Sequence, residues 1–442
     1  MKAIMRDKAE LKDSGIEWIG LLPANWSYCK IKNMTTEPET IFTDGDWING
    51  PDVADEGIRY LTTGNIGQGN FKEQGNGFVP EKTFEELNCT AVYPGDLVIS
   101  RLNSPVGRAC IIPNTYPKYA VAVDNVILRP DLKYLRKFLM YCMSSDRYSE
   151  FTQLLARGTT MQRISRTQLG NIFLPVTTVD EQQVIVTYLD DRCAKIDAII
   201  AEAKASIEEY KELKQAVIYE AVTKGLDKNA EMKEYGDWFD KCPSNWRYEQ
   251  IRYLYELRDE RNFEPLSEVN LISLYTDQGV MQHSDIEKTS GNKAVTADGY
   301  KKVYPEDIVV NIILCWMGAM GRSEYQGVTS PAYDVYKPLG CSKVCSKYYH
   351  YLFRTDRFSK KCYTVGRGIM MMRWRTYSSQ FRAIKVPVPP YEEQVEIANY
   401  LDKRISQIEE LVNAKQSLIE DLEAYKKSLI YEVVTGKRKV VE

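Results

Sequence analysis

The sequence has few of the groups from which a metal site or a catalytic centre is usually built. It contains two histidines, His283 and His350, and ten cysteines scattered along 442 residues without a C-x-x-C pair. Zinc sites usually draw four ligands from closely spaced cysteines and histidines. The nearest cysteines, Cys341 and Cys345, have no second pair beside them, so we assign them no role. We therefore expect a reduced protein without a bound metal.

Motifs for nucleotide and methyl-transfer chemistry are also missing. There is no G-x-x-x-x-G-K-[ST] loop, and neither an Asn/Asp-Pro-Pro-aromatic motif nor a Pro-Cys motif of a DNA methyltransferase is present. Residues 62–70, TTGNIGQGN, come nearest to a glycine-rich cofactor loop, but they lack the G-x-G-x-x-G spacing and are better explained as a turn in a sheet. We predict that the chain is not itself an enzyme and binds no cofactor.

Long apolar runs are absent too. No stretch approaches the roughly 20 apolar residues of a membrane span, and the first residues, MKAIMRDKAELKDSG, have no apolar centre typical of a signal peptide. We expect a cytoplasmic protein with no membrane partner. A chain of 442 residues that is 44% hydrophobic can bury more than one core, which favours two large domains.

Positive charge is concentrated in two segments, although the formal net charge is only −3. Residues 101–166 carry eleven Lys/Arg against four Asp/Glu, and residues 337–385 carry twelve against one, whereas residues 37–56 are acidic. The basic segments include RGTTMQRISR and GRGIMMMRWRTY, a mixture that can hold phosphates and reach base edges. A solvated charged surface is the alternative. We favour contact with nucleic acid.

An internal repeat organises the whole chain. The stretch IEWIGLLPANWSYCKI from residue 16 returns as DWFDKCPSNWRYEQI from residue 237, and YPGDLVIS returns as YPEDIVVN. One ancestral unit was therefore duplicated, and its middle diverged. The matched pairs include Trp26 with Trp246, Gly107-Arg108 with Gly321-Arg322, Arg157 with Arg367, Arg163 with Arg373, and Glu181-Gln182 with Glu393-Gln394.

Each repeat ends in a segment with the heptad spacing of a long helix. Gly225 and Gly436 mark where the two helices should stop. A helix of about 42 residues is roughly 60 Å long, and its narrow apolar stripe needs a partner helix. We predict that the two helices pack antiparallel with pseudo-twofold symmetry. The alternative is that each helix covers only its own domain. The predicted stripe is Leu189, Cys193, Ile196, Ile200, Ala203, Ile207, Tyr210, Val217 and Ala221 in the first helix, and Leu401, Ile405, Ile408, Val412, Ile419, Leu422, Leu429 and Val433 in the second.

The globular halves predict an α+β fold. Short runs such as LVIS, ACIIP and DIVVNIIL are broken by Gly, Pro and Asn, which indicates mostly antiparallel sheet with a few short helices. We predict a first globular domain at residues 14–180, a first helix at 181–224, a second globular domain at 235–390 and a second helix at 391–435.

The order of these motifs resembles the specificity subunit of type I restriction-modification systems over nearly the full length. The residues that carry the resemblance are DSGIEWIGLLPANW, GDLVISR, RGTTMQRIS with the following LPV and EQ, and the repetition of the unit. The resemblance implies that each globular unit is a target-recognition domain for double-stranded DNA. It also implies a bipartite target, with the helices as an antiparallel spacer that docks two modification subunits.

The resemblance further implies which partners carry the chemistry. The complex would methylate adenine with S-adenosylmethionine and, with restriction subunits, cleave unmodified DNA using ATP with Mg, so these cofactors belong to the partner subunits. Two other hypotheses are a DNA-free coiled-coil scaffold and a self-contained methyltransferase. The scaffold leaves the basic segments unexplained, and the methyltransferase lacks its motifs.

By the same analogy we predict the residues that contact DNA. Arg suits guanine edges and phosphates, and Asn and Gln suit adenine. Arg163 and Arg373 could instead brace the join to the helix. The second copy departs from the family pattern at GRGIMMMRW. The candidates are Arg101, Asn103, Arg108, Thr159, Thr160, Gln162 and Arg163 in the first domain, and Asn311, Arg322, Arg367, Arg373 and Arg375 in the second.

Overall fold

The computed structural model describes residues 1–158, 161–276, 278–283, 296–340, 344–368 and 374–441. Within them the chain forms two compact units. Unit 1 comprises Met1–Lys204 and Ser417–Glu442, and unit 2 comprises Ala205–Gln416. Each unit therefore contains one globular half of the chain and parts of both long helices.

Short strands and helices alternate through the first half of the chain. The strands are β1 (Lys2–Met5), β2 (Leu11–Asp13), β3 (Leu21–Pro23), β4 (Ser27–Lys30), β5 (Ile41–Asp44), β6 (Ile58–Leu61), β7 (Phe78–Val79), β8 (Leu97–Ser100), β9 (Ala109–Ile111), β10 (Tyr119–Val121), β11 (Asn125–Arg129) and β12 (Phe173–Val176). The helices are α1 (Glu81–Glu86), α2 (Arg136–Ser144), α3 (Asp146–Leu155), α4 (Arg166–Gly170) and the long α5 (Val179–Lys224). The main sheet is antiparallel in the order β5-β11-β8-β9, and a smaller sheet has the order β10-β6-β7.

The second half repeats this alternation. Its strands are β13 (Met232–Glu234), β14 (Lys241–Pro243), β15 (Arg247–Gln250), β16 (Tyr255–Leu257), β17 (Ile272–Tyr275), β18 (Gly279–Gln282), β19 (Lys301–Val303), β20 (Ile308–Asn311), β21 (Met320–Arg322), β22 (Gly327–Thr329), β23 (Tyr333–Pro338), β24 (Lys385–Val388) and β25 (Arg438–Val441). Its helices are α6 (Ser346–Phe353), α7 (Asp356–Val365), α8 (Ser378–Phe381) and the long α9 (Tyr391–Val434). The main sheet has the order β16-β23-β20-β21, which is the same pattern as in the first half.

The apolar runs seen in the sequence form the centre of each main sheet. Both β8, LVIS, and β20, IVVN, are buried at every position. A strand covered on both faces reads as a continuous apolar run rather than an alternating one. The mixture of antiparallel sheet and short helices confirms the predicted α+β class.

The duplication is visible in matching contacts. Strand β12 pairs antiparallel with β4, and β24 pairs antiparallel with β15. The Trp18 indole N–H donates to the carbonyl of Phe173 at 3.0 Å, and the Trp238 indole donates to the carbonyl of Lys385 at 2.9 Å. A duplicated sequence has therefore kept a duplicated fold.

Unit 1 contains an antiparallel helix pair, made by the start of α5 and the end of α9. The Lys426 ammonium lies 2.6 Å from the Asp197 carboxylate, and Lys204 lies 3.9 Å from Glu423. From Asp197 to Lys204 along α5, the contacted residue of α9 moves back from Lys426 to Glu423, so the two helices run in opposite directions. The predicted stripe is buried here at Leu189, Cys193, Ile196, Ile200, Ala203, Ile419, Leu429 and Val433, and Leu422 is half-buried.

Unit 2 contains the end of α5 and the start of α9. The Lys214 ammonium lies 2.6 Å from the Glu409 carboxylate, which joins the two helices. In both units one long helix thus contacts the other, so the antiparallel prediction is confirmed and the alternative of self-covering helices is wrong. The stripe is buried at Ile207, Ala221, Leu401, Ile405 and Ile408, and half-buried at Tyr210, Val217 and Val412.

The termini of the chain are joined within unit 1. Strand β1 pairs antiparallel with β25, from Lys2 opposite Val441 to Met5 opposite Arg438. None of the helices among the described residues is both long and apolar enough for a membrane span.

Candidate nucleic-acid interface

Two loops that carry most of the first-domain candidates are joined to each other in unit 1. Residues 101–108 follow β8, and residues 157–163 follow α3. The backbone N–H of Asn103 donates to the carbonyl of Gln162 at 2.9 Å, and the N–H of Ile164 donates to the carbonyl of Arg101 at 3.0 Å. Residues that are far apart in the sequence therefore lie side by side.

The loop at residues 157–163 is closed by a pair of arginines. Arg157 and Arg163 exchange two backbone hydrogen bonds of 2.9 Å, and both side chains are exposed. The Arg163 guanidinium lies 2.7 Å from the Asp124 carboxylate, whereas Arg157 has no ion pair within the described part of the chain. This ion pair ties Arg163 to the turn between β10 and β11. Guanidinium groups held at a surface in this way suit phosphate oxygens.

In unit 2 the corresponding loop runs from residue 367 to 375 and is closed by two arginines in the same way. Arg367 and Arg375 exchange two backbone hydrogen bonds of 2.9 Å. Both are exposed, and the described residues offer neither of them a side-chain partner. Arg375 is therefore the structural counterpart of Arg163, which corrects the sequence match of Arg163 with Arg373. Arg373 itself lies outside the described residues.

Arg101 is buried rather than presented to solvent. Its side chain is 6% exposed, and its guanidinium lies 3.0 Å from Asp44 and donates to the carbonyl of Val123 at 2.7 Å. Burial lowers the pKa of Arg101, and the neighbouring Asp44 and Asp124 carboxylates oppose that shift. We therefore reassign Arg101 from DNA contact to holding the ends of the surrounding strands together.

Arg108 has a similar internal role. Its guanidinium makes five hydrogen bonds, to the carbonyls of Ile66, Leu102, Asn103, Pro105 and Thr63, at 2.6 to 3.1 Å. A buried arginine whose donors already bind carbonyl groups has little left to offer a phosphate. Arg108 thus shapes the loop that presents Asn103, and we reassign it to positioning.

Arg322 does not occupy the place that the sequence match gave it. Val98 pairs with Cys110 in unit 1, and Val309 pairs with Gly321 in unit 2, so the two hairpins align with an offset of 211. The structural counterpart of Arg108 is then Ala319, not Arg322. The Arg322 guanidinium lies 2.8 Å from each of the carboxylates of Glu306 and Glu324, and this neutralises much of its charge.

Asn311 is also engaged internally. It is 7% exposed, and its side-chain oxygen accepts from the backbone N–H groups of Ile313 and Leu314 at 2.9 and 3.2 Å. An asparagine used in this way shapes a turn. We reassign it from DNA contact to supporting the loop that follows β20.

The remaining first-domain candidates differ in exposure. Asn103 is exposed and has a left-handed φ of 62°. Gln162 is half-buried, and its side-chain oxygen accepts from Gln153. Thr159 and Thr160 lie outside the described residues. Asn103, Arg163, Arg367 and Arg375 are thus the predicted contacts that the structure leaves at the surface.

Sequence reasoning left Arg157 out of the candidate set. Like its counterpart Arg367, which was included, it is exposed. The repeat already matched these two residues, and this match was the signal that could have found it.

The two histidines have different hydrogen-bond partners, and His283 Nδ1 lies 3.3 Å from the Ser273 hydroxyl. His350 lies on α6, and its Nδ1 accepts the backbone N–H of Arg322 at 3.1 Å. Burial and the nearby Arg354, Arg322 and Lys347 charges lower the pKa of His350 to about 3. It is therefore neutral at physiological pH and serves packing. Among the described residues, no three His, Cys, Asp or Glu side chains are grouped to hold a metal ion.

Two α+β domains that present equivalent arginine-closed loops, each attached to a long helix, define a duplicated recognition protein. Residues 39–209 and 278–421 match the type I restriction modification DNA specificity domain. The chain belongs to this family and is a specificity subunit, which is a non-catalytic component.

Named relatives agree with this assignment. The chain is 22% identical over 380 residues to the specificity subunit of the type I restriction enzyme MjaX of Methanocaldococcus jannaschii, covering 82% of this chain and 83% of that protein. It is 24% identical over 253 residues to the EcoKI specificity subunit of Escherichia coli K12, covering 56% and 52%.

Solved structures share the fold. A chain of a type I restriction-modification system, solved in work on its assembly and conformational transition, matches with a TM-score of 0.69 and 13% identity, covering 94% of this chain and 99% of that one. The HsdS subunit of Thermoanaerobacter tengcongensis matches with a TM-score of 0.55 and 15% identity, covering 94% and 98%.

Proposed function

We propose that the chain reads a bipartite double-stranded DNA target, with one half-site for each globular domain and an unread gap between them. The observation that carries the proposal is the repetition of the arginine closure, Arg157 with Arg163 in unit 1 and Arg367 with Arg375 in unit 2. Equivalent loops in two diverged domains suit two half-sites of different sequence.

Phosphate contact and base reading are assigned to different side chains. Arg157, Arg367 and Arg375 are exposed and have no side-chain partner among the residues that the structure describes, so they are available for phosphates. Phosphate contacts fix the register of a protein on DNA but carry no sequence information, which is read at base edges. In the first domain, Asn103 is the exposed amide beside the loop at residues 157–163. An asparagine amide can form hydrogen bonds with two edge atoms of adenine.

The complex around this chain supplies the chemistry. We propose that two modification subunits dock on it and methylate adenine with S-adenosylmethionine, and that restriction subunits use ATP with Mg. The long helices contribute to docking and set the length of the unread gap. All of these steps would take place in the cytoplasm.

The test is a methylome comparison in a host that has no other DNA methylation. We expect a gene with a methyltransferase motif beside this one, and that gene is expressed with and without the chain. We expect a split adenine-methylated sequence only when both are present. Methylation of the same sites without the chain would contradict the proposal.

A further inference from the structure

The loop after β20 in unit 2 has a chemical character opposite to that of its counterpart. The offset of 211 aligns residues 101–108, RLNSPVGR, with residues 312–319, IILCWMGA, without a gap. Gly107 and Gly318 close the two loops with left-handed φ values of 80° and 85°. The two loops therefore begin and end in register, but their backbones differ in between, with a φ of 62° at Asn103 and of −114° at Leu314. The polar side chains of the unit 1 loop are lost in unit 2.

The internal supports of the two loops changed together. The buried guanidinium groups of Arg101 and Arg108 are replaced by Ile312 and Ala319. In their place, the unit 2 loop is held by the side-chain oxygen of Asn311 and by Cys315, which is fully buried. Its neighbour Trp316 lies 5.7 Å from the Tyr363 ring, which stacks on Trp374 at 4.7 Å.

Two apolar side chains of this loop face solvent. Leu314 is 38% exposed and Met317 is 52% exposed. At this offset Leu314 aligns with Asn103, although the two residues differ in backbone conformation. The loop lies beside the exposed arginines, because the N–H of Thr376, the residue after Arg375, donates to the carbonyl of Ile312 at 2.9 Å. The exposed Arg367 and Arg375 beside Ile312 favour an anionic partner, DNA, as the occupant of this surface.

We propose that Leu314 and Met317 read thymine in the second half-site through its C5-methyl group. Among the groups that base pairs present in the major groove, the thymine methyl is the one an aliphatic side chain can favour. The proposal rests on the proposed function, and it makes the two domains read DNA differently. Asn103 offers hydrogen bonds, whereas Leu314 and Met317 offer apolar contact.

Deoxyuridine provides the test, because it pairs like thymine but lacks the methyl group. The complete complex with its modification subunits is titrated with duplexes of its own methylated sequence, in which each thymine of the second half-site is replaced singly. Removing a buried methyl group changes the free energy of binding by about 0.8 kcal/mol, so at least one replacement should weaken binding about fourfold.

Variants of Leu314 and Met317 test whether this loop causes the weaker binding of the deoxyuridine duplexes. In Leu314→Ala or Met317→Ala, the ratio between thymine and deoxyuridine duplexes should fall toward one. Asn103→Ala is the matched control and should leave that ratio unchanged. Both apolar residues are exposed, so the variants should fold, and thermal unfolding checks this.

The failures are distinguishable. If the complex binds no specific duplex, the proposed function fails. If it binds but no thymine replacement matters, if the second half-site has no thymine, or if the loss persists in both variants, this inference is overturned. It is also overturned if the variants instead impair assembly with the modification subunits, since the loop would then be a protein contact.

Discussion

The Trp26 indole N–H donates to the Glu181 carboxylate at 2.9 Å, which ties the start of the first globular domain to the first turn of α5. The repeat reproduces the bond at 3.0 Å between Trp246 and Glu393. A tryptophan and a glutamate that are 155 residues apart in one copy and 147 in the other have kept the same contact. This bond anchors each recognition domain to its own helix.

Removing the acceptor should destabilise the first unit. Glu181→Ala leaves the buried indole N–H unpaired and removes the partner of Arg6, which lies 3.1 Å away. We expect the free energy of unfolding to fall by about 1–3 kcal/mol, and by less in Glu181→Gln, because an amide oxygen still accepts. Denaturant unfolding followed by tryptophan fluorescence measures this. The exposed Glu202→Ala on the same helix is the control, and an equal effect there would contradict the anchoring role.

Two arginines of the first domain should respond in opposite ways to replacement. Arg108→Ala removes the donor of five hydrogen bonds to buried or partly buried carbonyl groups, so we expect a loss of about 3 kcal/mol or more in the free energy of unfolding. Arg157→Ala should change stability by less than about 0.5 kcal/mol but lower the salt slope of DNA binding by about one. Unfolding curves and salt titrations of affinity give the two numbers. If Arg108→Ala changed mainly the salt slope and Arg157→Ala changed mainly the stability, the burial of Arg108 would not determine its role.

His350 should make unit 2 less stable in mild acid. Its folded pKa is about 3, below the roughly 6.5 of an unfolded histidine, so its contribution is present above pH 6.5 and is lost as the pH falls. At pH 5.5 the loss should be about 1.4 kcal/mol relative to neutral pH. The difference in unfolding free energy between wild type and His350→Gln, measured at pH 7.5 and 5.5, isolates this effect. If the difference in unfolding free energy were the same at both pH values, the conclusion that His350 is neutral would be contradicted.

The long helices should set the gap between the half-sites. One heptad added to each helix, after Lys204 and after Gln416, keeps the apolar stripe in phase, and these are the points where the chain passes from one unit to the other. Seven residues add about 10 Å, or about three base pairs at 3.4 Å each.

Methylome sequencing of the heptad variant reads the gap directly. The added base pairs also rotate one half-site by roughly 100°, so methylation should be weaker at a site with the same halves and a longer gap. Full activity at the original gap would show that the helices do not set it.

Regular periodicity and identity made the helices and the repeat predictable from the sequence. A stripe such as Leu189, Ile196 and Ala203 predicts a long helix, and the length of that helix favoured a partner helix over the alternative of covering only its own domain. Packing kept a tryptophan at both Trp26 and Trp246, and this identity gave the sequence offset between the two copies.

The recognition loops were less predictable because both their side chains and their local backbone diverged, while the flanking hairpin kept its register. Matching Arg108 with Arg322 was wrong for this reason, since the hairpin register pairs Arg108 with Ala319. Nor could a count of basic residues separate Arg101, which is buried on Asp44, from the exposed Arg157. Burial depends on contacts between residues that are distant in the sequence.

The most direct test of the two-domain account replaces residues 235–390 with the second recognition domain of another specificity subunit and sequences the resulting methylome. Residues 1–234 and the second helix stay unchanged, and the wild-type chain is the control. We predict that one half of the methylated site changes while the other half is kept. A change in both halves, or in neither, would contradict the claim that each domain reads its own half-site.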